Sequence, residues 1–355
     1  MPHKPRYLMP AEWERHDATW LAWPKDPLTF PSKIIEPVQR IYTRMVKSLA
    51  TGEMVNLLVD DMDMQRKVSS IVGSHGGIVY HRIRSADVWI RDYGPIFVRK
   101  EGNGLVAIKW TFNAWGNKYD ELKPDNKSGR EIAEETGLGI IEPKFVLEGG
   151  SIDTNGLGTC ITTEQCLLNR NRNPQYKKVE IENLLESYLG FTNTIWLDRG
   201  IVGDDTDGHV DDIARFVDER TIVCMVEEDE RDENYVPLKE NLNILRSARD
   251  EKGRKLRVIP VSMPRKRVGG DERLPASCAN FYIGNTVVLV PTFGDINDAA
   301  AVRTIAGAFP TRKVVGINCE ALVYGFGGIH CVTQQQPSAE DSGQRGPYER
   351  LHPKR

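Results

Sequence analysis

The sequence predicts an α/β protein, a five-bladed α/β propeller of β-β-α-β repeats with pseudo-five-fold symmetry. Three observations predict it. Paired strand-like runs recur around compact turn sequences, and each pair is followed by one helical stretch and one further strand. The last strand-like run, Cys331–Gln335, has no downstream mate, and neither has the run near Trp20. Pairing those two would close the ring and leave no sheet edge open. A two-lobed α/β sandwich is the competing architecture.

The elements follow in order. The amino-terminal part supplies a strand at 18–22, a helix over 34–49 and a strand at 55–59. Asp60-Asp61-Met62-Asp63 reads as a helix cap rather than a metal loop. Hairpins are expected where 96–99 and 105–108 flank Gly102-Asn103-Gly104, and where 151–154 and 159–162 flank Asn155-Gly156-Leu157-Gly158. Two more are expected at 213–217 with 221–226 and at 281–283 with 286–290. Helices are expected over 129–136, 179–189, 238–250 and 298–308; in the third, Leu238, Leu242 and Leu245 share a face. Strands at 144–147, 194–197, 256–261 and 313–317 complete the units. Residues 1–337 form one domain in this reading, and 338–355 are a polar tail.

Composition narrows the function classes. The 355 residues carry 47 basic and 50 acidic side chains, a net charge of −3. With no basic excess or stripe, a nucleic-acid partner is not expected. The mean hydropathy of −0.43 and the lack of apolar runs near about eighteen residues argue against a membrane partner. The segment Met1–Trp13 has no apolar signal core, and the six cysteines include no Cys-x-x-Cys. The expectation is a cytoplasmic chain with reduced thiols. Phosphate-cradling glycine loops, zincin motifs and the serine-elbow motif are all missing, so no cofactor is expected. A homo-oligomer is compatible with the sequence.

Reactive groups stand just before each hairpin. They are Asp92, Glu148, His209, Asn280 and Cys331, separated by 56, 61, 71 and 51 positions. Equivalent places in a ring converge on one end of its axis, which would gather two carboxylates, an imidazole and a thiol. Gly325, Gly327 and Gly328 leave Cys331 little side-chain cover, favouring it as the nucleophile over the other five cysteines, which read as small buried hydrophobes. If the backbone is extended, His330 points away from Cys331 and is a packing histidine. The same assumption puts Asp207, His209 and Asp211 on one face, suiting either a metal site or a base with carboxylate companions.

One thiol, one imidazole and several acids suit a cationic substrate better than an acyl one. A guanidinium is planar, permanently charged and donates in a fork that carboxylates match bidentately. Asp92 and Asp211 are the candidates to grip it, and Glu148 to orient His209. The rivals are a metal-dependent hydrolase built on Asp207, His209 and Asp211, a thiol protease or amidase, and a non-catalytic polyamine-binding ring.

Several motifs carry a family resemblance. Met9-Pro10-Ala11-Glu12-Trp13, Trp20-Leu21-Ala22-Trp23-Pro24, Asp87-Val88-Trp89-Ile90-Arg91-Asp92-Tyr93-Gly94-Pro95 and Phe112-Asn113-Ala114-Trp115-Gly116 stand in order along the chain. Glu148-Gly149-Gly150, Gly208-His209-Val210-Asp211 and Ile329-His330-Cys331-Val332-Thr333-Gln334-Gln335 follow. Together they resemble the agmatine deiminases and bacterial-type peptidyl-arginine deiminases of the guanidine-modifying (pentein) superfamily. The resemblance implies the five-bladed propeller, Cys331 as covalent nucleophile and His209 as acid and base. It further implies Asp92 and Asp211 as guanidinium holders, Glu148 as the partner of His209, and Trp89 as an aromatic wall of the substrate channel. The implied reaction is hydrolysis of agmatine to N-carbamoylputrescine and ammonia, with arginine or peptidyl-arginine as alternative substrates. Two departures stand out: Gly325-Phe326-Gly327-Gly328 replaces the family's Gly-Gly-Gly-Asn, and Asp207 stands where Asn is common. An acid such as Asp205 or Asp207 at the channel would select an amine tail; Arg265, Arg267 or Arg273 there would select a carboxylate.

Overall fold

The computed structural model describes residues 7–339 apart from 74, 102 and 103. The tip of the first expected hairpin and nearly all of the expected tail therefore lie outside the described residues. Among those described, the strands form five mixed sheets and one small hairpin, Arg267–Gly269 with Glu272–Leu274.

Each mixed sheet repeats one internal pattern, an antiparallel pair extended by a parallel strand. Tyr282–Ile283 pairs antiparallel with Val287–Thr292, which pairs parallel with Lys313–Asn318. Ala214–Phe216, Thr221–Val226 and Arg257–Ser262 do the same, as do Ile152–Thr154, Thr159–Thr163 and Asn193–Leu197. A parallel step needs a long crossover, and helices Asp298–Ala308, Tyr235–Ser247 and Lys178–Leu189 provide it. In the first sheet the antiparallel partner of His16–Ala22 is the far end of the chain: Gln334 faces Trp20, and Met54–Val59 and Ile78–Arg82 add on parallel. The expected end-to-end pairing is thus present. Helix Ile35–Leu49 covers this sheet with a stripe of Val38, Ile41, Tyr42, Met45, Val46 and Leu49, each apolar burial being worth about 1.5–3 kcal/mol.

Two hairpins show why their sequences turn. Gly156 and Gly158 adopt φ of +72° and +117°, and the Asn155 side chain accepts from the amides of Leu157 and Thr159 at 2.9 and 3.0 Å. Asp218 likewise accepts from the amides of Arg220 and Thr221, both at 2.7 Å.

Three expectations need correction. The parallel strand of the second sheet is Gly139–Ile141, not 144–147; Val146 makes only an isolated bridge to Thr111. Cys331 does not begin a strand, because the strand starts at Gln334 and residues 329–332 form a turn. His209 and Asp211 are not on a strand either: His209 caps the 3-10 turn Val210–Asp212. The short segments Ile90–Tyr93, Gly149–Ser151 and Val210–Asp212 each precede a hairpin and deliver side chains to one place.

Candidate active site

A cavity of about 230 Å³ opens onto Cys331. Its buried wall includes Asp92, Trp89 and Trp115, while Tyr119, Glu121, Asp205, Tyr324 and Phe326 lie toward solvent. Among the described residues, no Lys or Arg lines it. The glycines before the nucleophile let it close: a Cβ on Gly327 would meet the Trp89 ring at 2.2 Å, and one on Gly328 would meet Asn280 Oδ1 at 2.4 Å.

Asp92 lies at the inner wall. Its Oδ2 accepts from Trp115 Nε1 at 2.9 Å and its Oδ1 from the Gly150 amide at 3.0 Å. Trp115 reaches it from a left-handed backbone, φ +51°, next to Ala114 at +53°, a strain of about 1–3 kcal/mol that surrounding packing must hold. Burial, then the charges of Asp211 and Glu148, push the Asp92 carboxyl up to about 6 against the pull of His209.

Asp211 stands 3.7 Å from Cys331 Sγ. One oxygen is held by His330 Nδ1 at 2.7 Å, and His330 Nε2 reaches Glu12 at 2.8 Å. His330 is therefore fully engaged between two carboxylates; it sits in a turn, so the strand argument that pointed it away from Cys331 does not apply. Glu12 in turn meets Arg215 at 2.9 Å and Arg91 at 3.3 Å. Burial raises the Asp211 carboxyl, but the His330 contact outweighs it and holds the group below the usual carboxylate range. The remaining oxygen, Oδ1, is buried with no hydrogen-bond partner.

His209 Nδ1 lies 3.8 Å from Asp92 Oδ1. Burial disfavours its charged form, yet Asp92, Cys166 and Glu148 outweigh that and lift the imidazole well above its ordinary range. Glu148 comes near His209, with a carboxylate oxygen within 4.8 Å of a ring nitrogen, but its firm bond is to Arg172 Nε at 2.7 Å. Cys331 Sγ receives Asn280 Nδ2 at 3.1 Å. Burial and the charges of Asp211, Asp212 and Asp92 push its thiol well up.

The structure thus brings Cys331, Asp92, Asp211 and His209 into one cluster, with Glu148 behind His209 and Trp89 on the wall. It does not bring Asp207 in. That residue has φ +68° and turns its carboxylate to Arg172 at 2.6 Å, Lys118 at 2.7 Å and Asn171 at 2.9 Å. The one-face trio Asp207, His209 and Asp211 is accordingly not formed. Arg265 and Arg267 bind Asp295, Arg273 binds Asp232, and none of the three lines the cavity. Glu12, Trp115, Arg172 and Asp212 were not singled out from the sequence. Asn280 was marked only by its place in the repeat.

Closed α/β sheets that set a thiol and one acid on the wall of a cation-sized pocket, with an imidazole and a second acid packed directly behind them, define a guanidine-modifying hydrolase. A sequence model of the Porphyromonas-type peptidyl-arginine deiminase family matches residues 8–337, and the chain belongs to that family. A Legionella pneumophila (strain Paris) protein named "Putative agmatine deiminase" is 36% identical over 95% of this chain and 97% of its own. The solved agmatine deiminase of Enterococcus faecalis superposes with a TM-score of 0.89 at 33% identity, covering 94% of this chain and 97% of that one. The Microseira wollei amidinotransferase SxtG, at 9% identity and a TM-score of 0.53 over 94% of this chain and 97% of that one, shares the fold. No helix among the described residues is long and apolar enough to cross a membrane.

Proposed function

We propose that this protein hydrolyses agmatine to N-carbamoylputrescine and ammonia, with Cys331 as nucleophile, His209 as acid and base, and Asp92 and Asp211 as the guanidinium grip. The carrying observation is that Asp92 and Cys331 line a cavity with no Lys or Arg among its described lining residues, while just behind them Asp211 approaches Sγ to 3.7 Å and keeps a buried Oδ1 without a hydrogen-bond partner. A buried acceptor without a donor is costly, and a guanidinium N–H supplies the donor together with the neutralising charge.

That charge also prepares the sulfur. In the empty site the surrounding carboxylates favour the Cys331 thiol; a bound cation offsets them and favours the thiolate, whose proton leaves to solvent. The thiolate attacks the guanidinium carbon to form a tetrahedral adduct. Protonated His209 gives its proton to one nitrogen, ammonia departs, and an S-alkylthiouronium remains. Neutral His209 then takes a proton from water, the oxygen adds to the same carbon, and the C–S bond breaks to release the ureido product.

The outer end of the cavity favours an amine tail. Asp26, Glu121 and Asp205 line it and would repel the carboxylate of free arginine while attracting an ammonium. The same field disfavours nucleic acid. The six unpaired, buried cysteines support a cytoplasmic setting. A colorimetric ureido-product assay on agmatine, arginine and an arginyl peptide in parallel tests this. Agmatine should lead in kcat/KM by at least about a hundredfold, and Cys331→Ser should abolish turnover. Equal or better turnover of arginine would reject the agmatine assignment.

A further inference from the structure

Beyond the nucleophile, three potential metal ligands meet behind His209. Cys166, from the short helix Glu164–Leu167, Glu148 and His209 each offer one ligand atom, and these lie within 4.8 Å of one another. All three residues are fully or almost fully buried. Glu148 Oε2 has no hydrogen-bond partner there, and the Cys166 thiol meets the His209 ring. The proposed reaction assigns no role to Cys166, and a buried orphan acceptor such as Glu148 Oε2 calls for a water or an ion.

We propose that Glu148 Oε2, Cys166 Sγ and His209 Nε2 form an inhibitory site for a thiophilic divalent cation, Zn²⁺ fitting best. One thiolate, one imidazole and one carboxylate make a three-ligand set with a fourth position for water. With Zn–S of about 2.3 Å and Zn–N of about 2.1 Å, ligand atoms in a tetrahedral site lie roughly 3.6 Å apart, reached here by side-chain shifts of about 1 Å. Arg172 already holds Glu148 Oε1, leaving Oε2 as a single-oxygen ligand. On binding, the Cys166 thiol proton and the Nε2 proton of the His209 imidazolium both pass to solvent, and the S–metal and N–metal bonds replace them. A ring metallated at Nε2 cannot carry the second proton that ammonia departure requires, so the metal-bound enzyme is silent. Because the three ligands are shielded from solvent, onset should be slow and follow local opening.

Cobalt(II) titrated anaerobically into the full chain reads the site without reference to activity. A sulfur-to-cobalt charge-transfer band should appear in wild type and in Cys331→Ala, and vanish in Cys166→Ala; Cys166→Ser serves if the alanine variant does not fold. A band lost in Cys331→Ala and kept in Cys166→Ala would place the metal on the nucleophile and overturn the proposal. No band at all would leave only a buried water there and overturn it equally. In turnover assays, Zn²⁺ pre-incubation should cost wild type at least tenfold in rate. Cys166→Ala, compared with its own metal-free rate, should need at least tenfold more Zn²⁺ for half inhibition; unchanged sensitivity would count against the site. The inhibition arm rests on the deiminase reading, which the metal-free agmatine assay tests separately, whereas the cobalt arm does not.

Discussion

Gly150→Ala is the sharpest probe of the cluster. A methyl there would sit 2.6 Å from His209 Nδ1, 3.0 Å from Asp211 Oδ2 and 3.0 Å from Asp92 Oδ1. To restore ordinary contact near 3.4 Å the imidazole must retreat by about 0.8 Å and both carboxylates by about 0.4 Å. A misplacement near 1 Å costs on the order of a hundredfold in rate, so kcat/KM on agmatine should fall by about that factor. Overpacking should also lower stability by about 1–3 kcal/mol. Gly307→Ala is the matched control: it lies in helix Asp298–Ala308 with nothing near its Cβ direction, and the swap should leave activity intact and add roughly 0.5–1 kcal/mol of stability. Steady-state kinetics and urea denaturation on the pair decide the matter. If Gly150→Ala keeps more than about a third of wild-type kcat/KM, the three groups do not act together as described.

Other expectations are as direct. Asp92→Asn keeps the shape but removes one charged leg of the grip, and turnover should drop by several orders of magnitude; a loss below about tenfold would exclude Asp92 from the chemistry. Rate should follow a bell in pH, with the acid limb near the Asp92 carboxyl at about 6 and the alkaline limb set by loss of the His209 proton. A profile flat from about pH 6 to 10 would contradict that assignment. Stability should move the opposite way on the acid side. Asp92, up to about 6, and Asp87, up to about 7 from 3.8, keep protons that the unfolded chain has already lost, so their contribution falls as pH rises from about 4 to 7. Denaturation across that range should show a shallower slope in Asp87→Asn. Asp205, which accepts from Tyr119 Oη and lines the cavity, should govern the tail: Asp205→Asn should raise KM for agmatine several-fold and leave KM for a guanidine with an uncharged alkyl tail unchanged.

Much of the site was readable because a repeat gives equivalent positions equivalent places. Asp92, Glu148, His209 and Cys331 were marked by that symmetry, Cys331 also by the glycines before it, and the family resemblance supplied their expected roles. The same logic marked Asn280 but could not say that its amide would touch Cys331 Sγ, since that depends on side-chain direction. Reading the sites as strand residues failed because the chain bends into single turns before each hairpin, and at Asp207 a left-handed backbone swings the carboxylate to Arg172. The 144–147 segment misled because Phe145 and Leu147 alternate inward like a strand, while Val146 spends its amide on Asn173 Oδ1 at 2.9 Å. The acidic cap was read correctly, Asp61 accepting from the Met64 amide at 2.8 Å at the start of helix Met62–Val72, whereas strand Ile78–Arg82, with none of its residues fully buried, gave no pattern to read. Partners as distant as Glu12 and His330 leave no local trace.

The left-handed Phe326, φ +67°, bears on how the protein could be diversified. An L-residue in that conformation is held at a disadvantage of roughly 1–2 kcal/mol, which glycine at the same place does not suffer. Libraries varied at this position should therefore recover glycine as the thermally hardier solution, and bulky rings only where the altered rim of the pocket repays the twist.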